Sequence, residues 1–325
     1  MLIHSGHGTR QHRSGTAGRS RLIRDAGDGY LAGLNFKLTP LTDPDYRPFS
    51  RRLAWLASDA DGVPVGSAFL RLNSKPSQAH LAELELVVHP ASRRLGLGSR
   101  LLAAAIAAAR ENEARVVLAD ATAESPGDSF LAQHGFSIGL TLIFTRLPLA
   151  EYAVPDEPPP AGYRLESWQG VPPDHLIESF TEARAAMNDA PVGDISYGAE
   201  TWDLERTRSV AKVVAQRGEI LETVAAVEES TDTVAGFTEL VVPGDGKGDA
   251  QHYGTAVLAA HRGHGLSLWM KAAQIRQLRA RYPDLAGLLT DMASTNLAMQ
   301  HINTHLGYTT THHTHRYTLH LGAAS

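Results

Sequence analysis

One phrase occurs twice in this chain. Residues 87–99 read Val-Val-His-Pro-Ala-Ser-Arg-Arg-Leu-Gly-Leu-Gly-Ser, and residues 256–267 read Ala-Val-Leu-Ala-Ala-His-Arg-Gly-His-Gly-Leu-Ser. Each is an apolar strand, then a basic turn punctuated by glycine, then an apolar-striped helix. A strand feeding a helix through such a turn presents unpaired backbone amides and a positive helix end to an anion.

The repetition extends beyond the phrase. Upstream of each copy lies an expected hairpin: 53–58 and 65–70 around Asp61-Gly62, and 222–228 and 234–238 around Ser230-Thr-Asp232. The step from Gly66 to Arg93 is 27 positions and from Gly236 to Arg262 it is 26. Downstream, Arg93 to Gly135 is 42 and Arg262 to Gly307 is 45, ending in His134-Gly135-Phe136 and Leu306-Gly307-Tyr308. Four landmarks in one order at near-equal spacing indicate duplication of a whole domain.

The division between the copies falls at 151–162, where three consecutive prolines with flanking acids favour an extended connector. The expected organisation is an arm over 1–30, a first domain over 31–150, the connector, and a second domain over 163–325. The arm is basic, with no acid before Asp25 and no apolar central stretch, and reads as a flexible segment. In the first copy the helices are expected over 97–112 and around Phe130, with strands over 81–88, 115–121 and 136–147. In the second, strands are expected over 253–258, 288–292 and 308–321, with helices after Leu266 and over 296–306. Long helical stretches (173–188 and 200–216) precede the hairpin of the second copy, whereas the first has only a short helical segment over 40–51.

Composition excludes several classes. A chain of 325 residues that is 43% hydrophobic and 20% charged is an ordinary globular protein. Its net charge of −5 argues against nucleic-acid binding as the main task. There is no cysteine, which removes disulfides, thiolate metal sites and a cysteine nucleophile. No apolar run reaches the ~20 residues of a membrane span. A cytoplasmic location and a monomer or homodimer are expected. His312, His313 and His315 lack acidic or cysteine companions and are read as a solvent-facing edge strand, with no metal expected.

The pattern Arg-x-x-Gly-x-Gly at Arg93-x-x-Gly96-x-Gly98, with Arg262-x-x-Gly265-x-Ser267 departing at the last place, resembles the acyl-CoA-binding motif of the GNAT acetyltransferase superfamily. The endings at Gly135-Phe136 and Gly307-Tyr308 sit where that family has its closing Gly-Phe. The resemblance covers nearly the whole chain from about residue 36, as two tandem copies. It implies an α/β fold in which each copy has a mixed, mostly antiparallel sheet splayed at the CoA-binding strand and flanked by helices. It also implies an N-acyltransferase that uses acetyl-CoA or another acyl-CoA as co-substrate and acts on a small-molecule amine. Two other readings stay open: an acyl-CoA-binding sensor or scaffold without turnover, and a GNAT-like transferase using aminoacyl-tRNA.

The resemblance assigns acyl-CoA to Val87, Val88, Arg93, Arg94, Leu95, Gly96, Leu97, Gly98 and Ser99 in the first copy. In the second it assigns Val257, Arg262, Gly263, His264, Gly265, Leu266 and Ser267. The glycines let backbone amides approach a pyrophosphate. Amine acylation needs a group that takes the ammonium proton. Glu83, ten positions before Arg93, and Glu85 on the same strand face are the candidates in the first copy; a solvated strand face is the alternative. His252, ten before Arg262, is its counterpart, with Tyr253 beside it. Glu239 and Asp291 are further acids without a spacing argument. The family's frequent tyrosine acid, four before the closing glycine, is Leu131 in one copy and Asn303 in the other. Asn188, Asp189 and Asp194, between the two helical stretches of the second copy, are candidates for the cationic acceptor; a capped turn is the alternative.

Overall fold

The computed structural model describes residues 36–42, 50–150 and 154–322. The arm over 1–30 lies outside the described residues, as does most of the short segment over 40–51, whose described ends are strand rather than helix.

The first half supplies β1 (Lys37–Thr42), β2 (Ser50–Ser58), β3 (Pro64–Asn73), β4 (Leu81–Val88), α1 (Leu97–Glu111), β5 (Val116–Thr122), α2 (Pro126–Gln133) and β6 (Ser137–Pro148). The second half supplies β7 (Tyr163–Gln169), α3 (Ile177–Arg184), α4 (Leu204–Gln216), β8 (Glu219–Glu228), β9 (Thr233–Pro243), β10 (Gly248–Val257), α5 (Leu266–Arg281), β11 (Leu285–Ala293), α6 (Leu297–His305) and β12 (Thr309–His320). Local chemistry accounts for the boundaries. Gly96 and Gly265, both left-handed, open α1 and α5 directly after the basic turns. Ser125 caps α2 with Pro126 at its first position, and Asp203 caps α4 through the Arg206 amide.

The twelve strands of the described residues join one mixed sheet in the order β1-β2-β3-β4-β5-β12-β6-β11-β10-β9-β8-β7. The closing strands of the two halves are therefore exchanged. β6 pairs with β11 (Leu147 opposite Leu288) and not with β5, while β12 pairs with β5 (Tyr317 opposite Ala119). The two exchanged strands also pair with each other. Each half completes its core with the other's strand. Leu147 packs among Leu240, Ala272, Ile275 and Leu288, and Tyr317 packs among Leu97, Leu102, Ala119 and Phe136.

The exchange corrects one expectation. β12 is an interior strand, not an edge, and its histidines are used by neighbours: His315 Nδ1 lies 2.7 Å from Asp128, and His312 stacks on Phe144. The connector after β6 runs over the second half's helices, where Arg276 donates to the Pro155 carbonyl at 2.8 Å and His305 lies 2.9 Å from Glu157.

Each half-sheet has two covered faces. In the first, α1 and α2 pack on the face that carries Ala82 and Leu84. In the second, α5 packs on the face that carries Ala250, while Phe180 and Ala183 of α3 cover the side of Phe237 and Ala256. Among the described residues, the first half has no helices on its opposite face. That face is covered by an extended strap, residues 190–198 of the second half, whose Ile195 and Tyr197 pack against Leu81, Leu118 and Leu140.

Candidate acyl-CoA and acceptor site

The two basic turns are built alike. Arg93 Nε donates to the Val88 carbonyl at 3.2 Å, and Arg262 Nε donates to the Val257 carbonyl at 3.0 Å. Each arginine thus folds back on the end of its own strand and holds the turn shape. Arg94 (φ 65°) and Gly96 (φ 79°) take left-handed conformations in one copy, and Gly263 (φ 80°) and Gly265 (φ 76°) do so in the other. No atom lies within 4 Å of the places where Cβ atoms on Gly96, Gly263 or Gly265 would stand. The approach to the helix ends is open, and the first amides of α1 and α5 precede any intrahelical acceptor. Leu97 and Leu266 anchor the turns in the core, while Leu95, His264 and Arg94 are exposed. Ser99 Oγ is 2.9 Å from His134 Nε2, which ties the start of α1 to α2. A Cβ on Gly98 would meet the Phe130 ring at 3.2 Å, so the glycine shared by the motif is also a packing requirement here.

Beside each turn the sheet parts. β4 is parallel to β5 only from Leu81 to Leu84, and β10 to β11 only from Gly248 to Gln251. Beyond those points Glu85 to Val88, and His252 to Val257, pair on one edge only, with β3 and β9 respectively. A strand with a free edge next to an anion-binding helix end fits a long, amide-bearing thiol ester with phosphates at its far end. The residues present are suited to acyl-CoA in both halves: Val87 and Val88, or Val257, on the parted edge, and the two turns at the phosphates.

The copies differ at the reacting end. A bulge interrupts the β9–β10 register between His252 and Gly254, leaving Tyr253 as the extra residue. Leu70 lies opposite Leu84 in the first copy, and Leu240 lies opposite His252 in the second. His252 is thus the spatial counterpart of Leu84 and faces α5, and the counterpart of Glu83 is Gln251, opposite Val241 as Glu83 is opposite Arg71. Counting back from the arginines pairs Glu83 with His252. The bulge displaces that pairing by one residue and so moves it to the other face.

Glu83 itself is held. Arg71 forms an ion pair with it and Asn73 donates to it at 3.2 Å. The strap covers its face: Tyr197 reaches Arg316 at 2.9 Å, and Arg316 is bound to Asp120. Gly193 (φ 63°) comes so close that a Cβ would lie 2.0 Å from the Gly139 carbonyl oxygen, and the Asp194 amide donates to that oxygen at 3.0 Å. Asp194 therefore belongs to the strap on the first half and not to the second half's acceptor side. Glu85 is exposed at the parted edge.

On the second half's α3 face the carboxylate is Glu239 of β9, opposite Gly254 at the bulge. Arg184 of α3 donates to both its oxygens at 2.6 and 2.8 Å, and Thr223 donates at 3.3 Å. Both partners are almost fully buried. Burial pushes the Glu239 carboxyl above its ordinary range, and the Arg184 and Thr223 interactions oppose this. Arg184 also lies over the Trp202 ring, 4.3 Å from its centre, and Met187 lies over Gly254. Burial likewise raises the Tyr253 hydroxyl, with Glu239 adding to the effect. Breaking such a buried pair by removing one partner costs about 3–5 kcal/mol, so Glu239 and Arg184 hold each other in place.

Asn188 and Asp189 stand at the rim in other roles. Asn188 clips Glu200 through both backbone groups, at 2.8 and 3.0 Å. Asp189 forms an ion pair with Arg262 and so links the acceptor-side helices to the basic turn.

Behind the bulge, on the α5 face, lies a second polar group. The Tyr308 hydroxyl is 2.7 Å from His252 Nε2, and Lys271 Nζ is 3.4 Å from the same nitrogen. Burial, followed by the Lys271 charge, holds His252 well below the usual imidazole range. Burial lowers Lys271 to about 7 and raises Tyr308. Lys271 escaped the sequence reading, although a signal was present: it falls on the stripe Leu268, Lys271, Ile275, Leu278, where a helix in a core needs apolar residues.

Residues 28–136 match the family model described as the acetyltransferase (GNAT) family. Among solved structures, the chain is similar to a tandem GNAT protein from the clavulanic acid biosynthesis pathway, at 22% identity and a TM-score of 0.69, covering 90% of this chain and 100% of that one. It is also similar to a GCN5-related N-acetyltransferase from Sphaerobacter thermophilus, at 16% identity and a TM-score of 0.63, covering 82% of this chain and 80% of that one. The match over residues 28–136 is thus to the GNAT acetyltransferase family, and the described chain has the fold of a tandem GNAT protein.

Proposed function

We propose that this protein is an acyl-CoA-dependent N-acyltransferase whose second half carries the reaction. The observation that supports the assignment is the difference between the two parted strands. Beside β4, the face that would receive an acceptor is closed by the strap. Beside β10, the corresponding face is walled by α3 and α4, and Glu239, buried and paired with Arg184, lies opposite the bulge.

Acyl-CoA is the co-substrate and supplies an activated thioester. Val257 and the amides of the β10 edge hold its amide-bearing arm, and Arg262 to Ser267 take its phosphates. The acceptor is a small-molecule amine. Its nitrogen forms the new C–N bond as the C–S bond breaks, and Glu239, lifted by burial, is the group assigned to take the amine's proton. Tyr253 shapes the same wall. Acetyl-CoA is the reference donor for the test.

Isothermal titration with acetyl-CoA, followed by a thiol-release assay over a panel of amines, tests the reading. Binding with release that is lost in Glu239→Gln is expected. No binding at millimolar ligand would overturn it. Binding without release on any amine would favour a sensor or scaffold, and salt-sensitive retention of charged tRNA would favour aminoacyl transfer.

A further inference from the structure

The duplication provides an internal control for the group behind the bulge. In the first half the positions equivalent to His252, Lys271, Asn303 and Tyr308 are Leu84, Leu102, Leu131 and Phe136. The first pair is matched by strand register and the other three by their places relative to the arginine and the closing glycine. All four residues of the first half are buried in one apolar cluster. The fold is therefore satisfied by four hydrocarbons here, and the second half carries four polar side chains instead.

That replacement is costly. Lys271 is 1% exposed, Asn303 2% and Tyr308 5%. Two polar atoms of the set, His252 Nδ1 and Asn303 Oδ1, are buried without a hydrogen-bond partner. The Lys271 amine lies 3.4 Å from His252 Nε2 and 5.3 Å from the centre of the Tyr308 ring, and among the described residues no carboxylate pairs with it. A buried ammonium without an anion is unfavourable by several kcal/mol and is retained in proteins where something pairs with it. The place is specific as well. His252 is the first residue beyond the last β10–β11 pair, at the apex of the parted strands, where the free edge of β10 begins.

We propose that Lys271 is the counter-ion for a carboxylate on the acyl chain of the donor, so that the second half selects thioesters of dicarboxylic acids over acetyl-CoA. The proposal rests on the acyltransferase reading and names its donor class. His252 and Tyr308 orient the amine, and Asn303 supplies a further polar atom at the same end. The first half, with Leu84, Leu102, Leu131 and Phe136, has no such preference.

Binding is the primary readout, because it needs no acceptor. Isothermal titration with acetyl-CoA, malonyl-CoA and succinyl-CoA is carried out on the full chain, on Lys271→Leu and on Lys271→Arg. The wild type is expected to bind malonyl- or succinyl-CoA at least about tenfold more tightly than acetyl-CoA, the scale of one charge-assisted contact. Lys271→Leu should lose that preference while keeping acetyl-CoA, and Lys271→Arg should retain part of it. Sites in the first half would appear as a class insensitive to all three donors' ends and to both substitutions. Equal or tighter binding of acetyl-CoA by the wild type overturns the proposal, as does an equal loss for all donors in Lys271→Leu. Selective binding without thiol release would leave the donor class standing and refute the acyltransferase reading instead. Binding of no thioester would overturn both.

Discussion

Leu147 gives the sharpest test of the exchanged strands. It belongs to the first half by chain order, yet its side chain is fully buried among Leu240, Ala272, Ile275 and Leu288 of the second. Leu147→Ala removes buried methyl groups and leaves a cavity where the surrounding residues come from β9, α5 and β11. Leucine truncations of this kind cost about 2–5 kcal/mol. With a central value of about 3 kcal/mol, opening of the affected region becomes about two orders of magnitude more frequent. Hydrogen exchange read by mass spectrometry resolves where that happens. Peptides covering 240–250, 269–278 and 285–292 should exchange about 100-fold faster in the variant, with a fall in the urea midpoint measured in parallel. Acceleration confined to peptides from β2 to β5, with the second-half peptides unchanged, would show that β6 closes its own half and would refute the exchange. The same reasoning says that cutting the connector near Pro158 leaves the halves associated, since separation must break the β6–β11, β6–β12 and β12–β5 ladders together.

Two further outcomes follow from the asymmetry of the halves. Ser267→Trp should lower kcat/KM by at least about tenfold more than Gly98→Trp, because only the first half's acceptor face is closed by the strap; equal losses would mean two independent active sites. Lys271 makes stability depend on pH. Its folded value of about 7 lies below the ordinary 10.5, so between those values the unfolded chain binds the extra proton. Stability from this group is present at high pH and is lost as pH falls toward 7. The difference between wild type and Lys271→Leu in urea unfolding should therefore shift in the wild type's favour by about 1.4 kcal/mol per pH unit from pH 7 to 9, and a flat difference would refute the burial of an unpaired amine.

Much of the secondary structure was legible because its causes are local. The apolar stripe Leu101, Leu102, Ala105 and Ala109 makes α1, Asp61-Gly62 turns the first hairpin, and the glycines of the basic turns demand left-handed backbone that few other residues adopt. The repeat itself needed only comparison of the chain with itself. The candidate site was legible where it depends on the motif and illegible where it depends on register. One extra residue in β10 moved His252 to the α5 face and left Glu239, on a neighbouring strand, as the carboxylate on the other. Asn188 and Asp189 are polar residues between the helices, but no spacing rule connects them to their partners Glu200 and Arg262.

By itself, then, the chain order determined two copies of a strand–turn–helix unit with anion-binding turns, since backbone geometry, capping and hydrophobic period act within a few residues. Tertiary structure alone decided which strand closes which half, that residues 190–198 cover the first copy's face, and that Lys271 stands at the apex of the parted strands without an anion. Those outcomes arise from packing and pairing between segments that are not neighbours along the chain. There the energy belongs to the contact made, and nothing in either segment alone specifies its partner.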